Sequence, residues 1–202
     1  SALAARFLAR EDAGRLLVIG AGALAPQLAR AHAAVRPIRR VLVWNRTPAR
    51  AGAVAAELAA EGLVAEAAPD LEAAVRQADI VTCCTMSREP LVRGAWLQPG
   101  AHVDLVGAFT PDMRESDDAV MRRARVFVDT FDGALAEAGD VVLAMASGAL
   151  ERSAIRADLF GLCRGERPGR TAPDEITVFK SVGCALEDLV AARLVVERAG
   201  PG

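Results

Sequence analysis

Apolar and polar positions repeat along this chain with two different periods, and the switches between them mark the elements. Leu3, Phe7 and Leu8 share one face of a helix over Ser1 to Arg10, with Ser1 placed to cap it. Arg15 to Gly20 (RLLVIG) is a short continuous apolar run ending in glycine, the pattern of a strand covered on both faces. A helix follows over Leu24 to Val35 and stops before Pro37, and Arg39 to Trp44 (RRVLVW) is a second buried strand. Pro48 to Glu61 reads as an alanine-rich helix, with proline in its first turn and Gly62 just past its end. Leu63 to Ala67 is a short strand, and Asp70 caps a helix that reaches Gln77. Ala78 to Thr85 and Ala101 to Val106 are the fourth and fifth strands, separated by a loop with one helical turn at Gly94 to Leu97. Ser116 to Arg123 is a helix and Arg125 to Asp129 a sixth strand.

Beyond Thr130 the pattern loosens. A short helix is expected over Ala134 to Ala138, an extended stretch over Asp140 to Ala144, a loop over Gly161 to Pro173 and a strand over Glu175 to Phe179. Cys184 to Glu197 is an amphipathic helix with Leu186, Leu189, Val190 and Leu194 on one face. Strands alternating with helices at this spacing require parallel crossovers. The expected fold is therefore α/β: a Rossmann-type doubly wound parallel sheet with a C-terminal helix. The expected organisation is a leading helix (1–10), a dinucleotide-binding domain (11–145) and a C-terminal segment (146–202).

Composition narrows the partners. The 202 residues carry 24 basic and 26 acidic side chains, a net charge of -2, so bulk charge offers nothing to a nucleic acid. No apolar run approaches the roughly 20 residues that span a bilayer, and Ser1 to Arg10 is no secretion signal, so a cytoplasmic protein without a membrane partner is expected. Cys83, Cys84, Cys163 and Cys184 lack metal-ligand spacing and are expected as reduced thiols, with no metal. His32, inside a helix, and His102, at the amino end of a strand, are expected to be structural. Lys180, the only lysine, is expected as a solvated side chain beside a loop, with electrostatic help to a substrate as the alternative.

The central motif is Gly20-Ala21-Gly22-Ala23-Leu24-Ala25, a GxGxxA between a buried strand and a helix. Gly20 permits the tight turn, Gly22 lets a pyrophosphate approach the backbone, and Ala25 lets the helix pack closely on the strand. The anion would rest on N–H groups at the positive end of the helix beginning near Leu24. At the end of the second strand, Asn45-Arg46-Thr47 offers no acid for a ribose 2′-hydroxyl. Arg46, the Thr47 hydroxyl and Arg50 suit a 2′-phosphate instead, which favours NADP(H) over NAD(H). Cys84-Thr85-Met86 follows the fourth strand and Val106-Gly107 the fifth, both at carboxyl ends. Thr85 and Gly107 are either neighbours of the nicotinamide half or ordinary strand-cap and turn residues.

With Gly20 to Ala25, Asn45-Arg46-Thr47, Gly100 to Ala108 (GAHVDLVGA) and Asp174 to Leu189 (DEITVFKSVGCALEDL), the whole chain resembles the ornithine cyclodeaminase/mu-crystallin family. The resemblance implies a Rossmann domain facing a substrate domain, with a cyclic imino acid or amino acid held against the nicotinamide, in a homodimer. It places the phosphate loop at Gly20, Gly22, Ala23 and Leu24, and the 2′-phosphate site at Asn45, Arg46, Thr47 and Arg50. Cys84, Thr85, Met86 and Val106 then line the crevice, and Ser181-Val182-Gly183 matches the segment that approaches the nicotinamide.

Two departures from the family pattern matter. Cyclodeaminases and alanine dehydrogenases carry an acid after the glycine pair of the fifth strand, where this chain reads Gly107-Ala108-Phe109-Thr110-Pro111. Deamination needs a base near the amine, whereas a ready-made imine needs only hydride and a proton. Family members also carry an N-terminal substrate domain ahead of the helix at Ser1, and the catalytic acid is expected there, so none is assigned in this chain. The sequence reading is thus NADPH-dependent reduction of pyrroline- or piperideine-2-carboxylate to proline or pipecolate. Ornithine cyclodeamination and non-catalytic NADPH binding in the manner of mu-crystallin are the alternatives. The apolar face of the C-terminal helix is expected to pack on the substrate domain.

Overall fold

The computed structural model describes residues 1–199. Eight strands form one sheet: β1 (Arg15–Ile19), β2 (Arg40–Trp44), β3 (Ala65–Ala67), β4 (Ile80–Cys83), β5 (His102–Leu105), β6 (Arg125–Val128), β7 (Ile155–Asp158) and β8 (Thr177–Lys180). Their order is β3-β2-β1-β4-β5-β8-β6-β7, and every neighbouring pair is parallel. The architecture is a doubly wound α/β sheet of the Rossmann type.

The strands read as unbroken apolar runs because both sheet faces are covered. In β1, Leu16 and Val18 join Val41, Val43 and Leu58 on one side. Leu17 and Ile19 join Val81, Val103 and Leu105 on the other. The first side is roofed by α1 (Ala2–Leu8), α2 (Leu24–Val35) and α3 (Pro48–Ala60), the second by α4 (Leu71–Gln77), α5 (Asp118–Arg123), α6 (Phe131–Ala136) and α7 (Gly139–Ala146). Asp70 caps α4 by accepting from the Ala73 N–H at 2.7 Å. Gly62, at φ +94°, ends α3 in the left-handed conformation that favours glycine. Ser1 stands at the N-cap of α1, but its side chain makes no capping bond. What fastens α1 is Arg36, whose guanidinium donates to the carbonyls of Ala5 (2.8 Å) and Ala9 (3.1 Å).

Three expectations are corrected. The stretch from Asp140 to Ala144 is the body of helix α7, not extended chain. Its β-branched residues suggest a strand, but burial of Val141 and Ala144 at helical spacing decides the matter. A strand and a helix unforeseen in the sequence, β7 and α8 (Leu159–Cys163), occupy part of 146–202, and α8 takes the first residues of the expected loop. Lys180 is the last residue of β8 and is fully buried. Residues 155–180 thus share one sheet with 11–145, because the chain returns to insert β8 between β5 and β6.

His32 and His102 are both fully buried. His32 Nε2 lies 3.2 Å from Asp104 Oδ2, which also accepts from Thr82 Oγ1 at 2.7 Å, so the last turn of α2 is tied to β4 and β5. His102 Nδ1 meets Thr177 Oγ1 at 2.9 Å, and burial lowers its pKa to about 3, which leaves the ring neutral. The C-terminal helix is α9 (Ala185–Ala199). Leu186, Leu189, Val190 and Leu194 of its stripe are 46–57% exposed.

Candidate functional site

The strand order reverses between β1 and β4, and ligands of open α/β sheets bind outside the carboxyl ends at such a point. Gly20, directly after β1, has φ +117°, and a Cβ there would stand 2.9 Å from the Cys84 carbonyl oxygen. Only glycine turns the chain in that space. A Cβ at Gly22 would meet no atom within 4 Å, so the protein leaves open the room that a ligand requires. No side chain caps the first turn of α2, so its N–H groups at Ala23 and Leu24 remain available to an anion. Ala25 is fully buried against the strands, as close packing demands.

At the end of β2, Asn45 Nδ2 donates to the Thr47 carbonyl (3.1 Å) and shapes the turn into α3. Thr47 is the N-cap position but its side chain makes no capping bond. Arg46, Thr47 and Arg50 are exposed, and neither arginine forms an ion pair among the described residues. Two unpaired guanidiniums beside an uncommitted hydroxyl fit a phosphate monoester.

The other strand ends lie further along. Cys84 follows β4, its Sγ 3.6 Å from the Ile19 carbonyl, and burial pushes its pKa up to about 12, so it stays a thiol. Thr85 is half-buried and Met86 is 71% exposed at the mouth. Val106 and Gly107 both donate to the Cys83 carbonyl, at 2.8 and 3.2 Å. Gly107 packs so tightly on the Thr85 carbonyl that any Cβ would overlap it. Ser181 donates to the Leu105 carbonyl (3.1 Å), and the N–H groups of Val182 and Gly183 donate to Asp129 Oδ2 at 2.7 and 2.8 Å. From β2 to β8 there are four steps across the sheet, about 19 Å at typical strand spacing. The candidate residues thus form a row across strand ends, with Asn45 to Arg50 at one extreme and Ser181 to Gly183 at the other.

Behind that row lies a group that sequence reasoning missed: Glu115, Asp140 and Lys180, all fully buried. Glu115 Oε1 accepts from both the Thr85 N–H (2.6 Å) and the Thr85 hydroxyl (2.7 Å). Asp140 Oδ1 accepts from the N–H groups of Glu115 (3.0 Å) and Ser116 (2.8 Å) and from Ser116 Oγ (2.8 Å). Lys180 Nζ donates to the carbonyls of Leu105 (3.2 Å) and Gly107 and lies 4.0 Å from Asp140 Oδ2. Burial, aided by the Asp140 charge, raises the Glu115 pKa to about 7. Burial likewise raises Asp140 and lowers Lys180. The only hint in the sequence was that Lys180 is the sole lysine.

Among the described residues no group of His, Cys, Asp and Glu is placed to hold a metal, and no helix is long and apolar enough to cross a membrane. By fold and crevice this is a Rossmann-type α/β protein. More narrowly, the chain belongs to the ornithine cyclodeaminase/mu-crystallin family, whose model matches residues 1–202. It is 48% identical over 198 residues to a Delta(1)-pyrroline-2-carboxylate reductase of Paracoccus denitrificans, covering 96% of this chain and 62% of that one. Among solved structures it is similar to the Delta(1)-pyrroline-2-carboxylate reductase of Thermococcus litoralis in complex with NADH and L-proline. The TM-score there is 0.96, with 35% identity over 98% of this chain and 62% of that one. It is also similar to an archaeal alanine dehydrogenase dimer with bound NAD, with a TM-score of 0.92 and 29% identity over 98% of this chain and 61% of that one. The chain thus spans a little under two thirds of these relatives' length.

Proposed function

We propose that this chain forms the cofactor-binding part of an enzyme that reduces a cyclic imino acid with NADPH, converting pyrroline- or piperideine-2-carboxylate to proline or pipecolate. The observation that carries the reading is the loop after β5. Phe109 is exposed there, and the first carboxylate beyond it, Asp112, is turned aside onto Thr110 Oγ1 (2.6 Å) and Arg88 (3.0 Å). Among the described residues of this loop no exposed carboxylate is left free to deprotonate an amine, which suits a substrate that is already an imine. The relatives named for pyrroline-2-carboxylate reduction support the same reading.

When bound, the cofactor supplies a hydride to the C=N carbon of the substrate. The chain's own residues bind and orient. Gly20, Gly22, Ala23 and Leu24 hold the pyrophosphate at the head of α2. Asn45, Arg46, Thr47 and Arg50 hold the 2′-phosphate and set the preference for NADP(H) over NAD(H). Cys84, Thr85, Met86 and Val106 line the path to the nicotinamide, beside Ser181 and Gly183. The proton that completes the amine is assigned to no residue here. We place the body of the dinucleotide-binding domain at 11–145, with β7 and β8 of 146–202 completing its sheet and a leading helix at 1–10, and read the exposed stripe of α9 as a face toward the substrate domain. The intact enzyme is read as a cytoplasmic homodimer, in keeping with four unpaired cysteines and with the dimeric alanine dehydrogenase.

The test is NADPH oxidation by the full-length protein with pyrroline-2-carboxylate, piperideine-2-carboxylate and linear imino acids. Formation of proline or pipecolate with matching NADPH loss is the expected result. Proline and ammonia from ornithine without net cofactor change would replace the reading with cyclodeamination. Tight NADPH binding without turnover on any imino acid would replace it with a binding protein.

A further inference from the structure

We propose that Glu115, Asp140 and Lys180 form a positioning cluster that sets Thr85, Gly107 and Ser181 at the strand ends where the nicotinamide half of the cofactor lies. The proposal rests on the cofactor reading of the crevice given above.

Three fully buried ionisable side chains are costly, and apolar residues of similar volume would serve a plain core as well or better. Mutual attraction does not account for them either. Lys180 Nζ and Asp140 Oδ2 are only at the 4.0 Å edge of contact, and Asp140 Oδ2 and Glu115 Oε2 have no hydrogen-bond partner among the described residues. The bonds these groups do make run toward the crevice. Lys180, at the end of β8, bonds the carbonyls of Leu105 and Gly107 at the end of β5. Glu115 bonds the backbone and side chain of Thr85 at the end of β4. Asp140, in the first turn of α7, fixes the backbone of Glu115 and supplies the nearest negative charge to Lys180.

Gly107 shows how tight the arrangement is. A Cβ there would come within 2.5 Å of Glu115 Oε1 as well as overlapping the Thr85 carbonyl. The ends of β4 and β5 therefore meet Glu115 directly at this point. The charges acting on Lys180 are Asp140 and Glu115, with smaller effects from Asp104 and Asp129; Glu115 is faced by Asp140 and Lys180 and by the thiols of Cys83, the last residue of β4, and Cys84 just beyond it. A change in any of the three side chains should move the crevice floor at β4, β5 and β8. It should leave Gly20 to Leu24 and Asn45 to Arg50 in place.

The experiment compares two ligands of the full-length protein by calorimetry. One is NADPH and the other is 2′-phospho-ADP-ribose, which lacks the nicotinamide. Glu115→Ala and Lys180→Met are expected to weaken NADPH by about tenfold, the effect of one or two lost positioning bonds, while fragment affinity stays within about twofold. Glu115→Gln should bind both ligands as wild type does, because its amide carbonyl can accept both Thr85 bonds. Glu115→Asp, which retracts the carboxylate by one methylene, provides a second reading if truncation to alanine prevents folding, and is expected to behave like Glu115→Ala. Wild-type affinities in the alanine, aspartate and methionine variants would overturn the cluster alone. So would equal weakening of both ligands, which marks general destabilisation, or loss in Glu115→Gln as large as in Glu115→Ala. A wild-type protein that binds neither ligand would sink the cofactor reading and the cluster with it.

Discussion

Replacing Glu115 by glutamine should make the protein more stable at neutral and alkaline pH and leave it nearly unchanged in acid. The side chain is fully buried, and its carboxyl titrates at about 7 in the folded chain against an ordinary 4.5. The folded state therefore holds this proton more tightly than the unfolded chain. Below pH 4.5 both states are protonated and burial carries no electrostatic penalty. Between pH 4.5 and about 7 the folded state binds more protons, so stability falls as pH rises; above that window the whole penalty is present. The gap from 4.5 to about 7, at about 1.4 kcal/mol for each tenfold change in proton concentration, amounts to about 3 kcal/mol. Glutamine keeps an acceptor for the Thr85 N–H and hydroxyl but cannot ionise, so it escapes the penalty. Glu175, lowered from 4.5 to about 2, acts below the window, and His102, whose linkage runs from about 3 to 6.5, contributes equally to wild type and variant and cancels in their difference. The assay is thermal unfolding of full-length wild type and Glu115→Gln in matched buffers from pH 4.5 to 8. A domain of this size should gain roughly 6–12 °C at pH 8, with the difference shrinking toward zero at pH 4.5. A difference that does not change with pH would show that Glu115 keeps one protonation state throughout, and the argument from burial would fail.

Other consequences follow from the strand ends. Arg46→Ala should weaken NADPH by about 10- to 100-fold, the loss of a charge-assisted bond to phosphate, with NADH affinity moving less than about twofold. Equal losses for the two cofactors would remove Arg46 from the 2′-phosphate site. Gly22→Ala should leave the unfolding midpoint where it is, because no atom lies within 4 Å of the new Cβ, while cofactor binding falls sharply in fluorescence titration. Gly20→Ala should instead cost about 1–3 kcal/mol in denaturant unfolding, since φ is +117° and the Cys84 carbonyl is 2.9 Å away. If both alanine variants lost stability alike, the open space at Gly22 would not be there. Asp129→Ala leaves the N–H groups of Val182 and Gly183 without their shared acceptor and should speed their amide exchange selectively; unchanged exchange at these two amides would mean that Asp129 does not clamp the segment.

The two ends of the crevice differ in how much of them the sequence discloses, and the reason is physical. The end proposed for the pyrophosphate is built from one strand, one turn and one helix in immediate succession, so Gly20, Gly22 and Ala25 announce it at short range. The same holds for Asn45 to Arg50, which need only the next strand and its turn. At the other end nothing is local. Lys180 reaches carbonyls 75 and 73 residues away, and Glu115 holds Thr85 across 30 residues. In the sequence, Lys180 follows the apolar run Thr177-Val178-Phe179 and reads as the point where the strand meets water. Only the insertion of β8 between β5 and β6 covers it on both sides, and no pattern within β8 itself reports which strands will flank it. Glu115 and Asp140 are two of 26 acids and carry no mark until the fold joins them. Gly139 carries no such mark either, yet a Cβ there would overlap the Met113 carbonyl, so the glycine is what lets α7 bring Asp140 against this loop. On the proposed reading, a substitution within one short loop would therefore retune the grip on the adenine half. The geometry at the nicotinamide end depends on segments far apart in the chain, and the loss of one buried bond there is felt at three strand ends together.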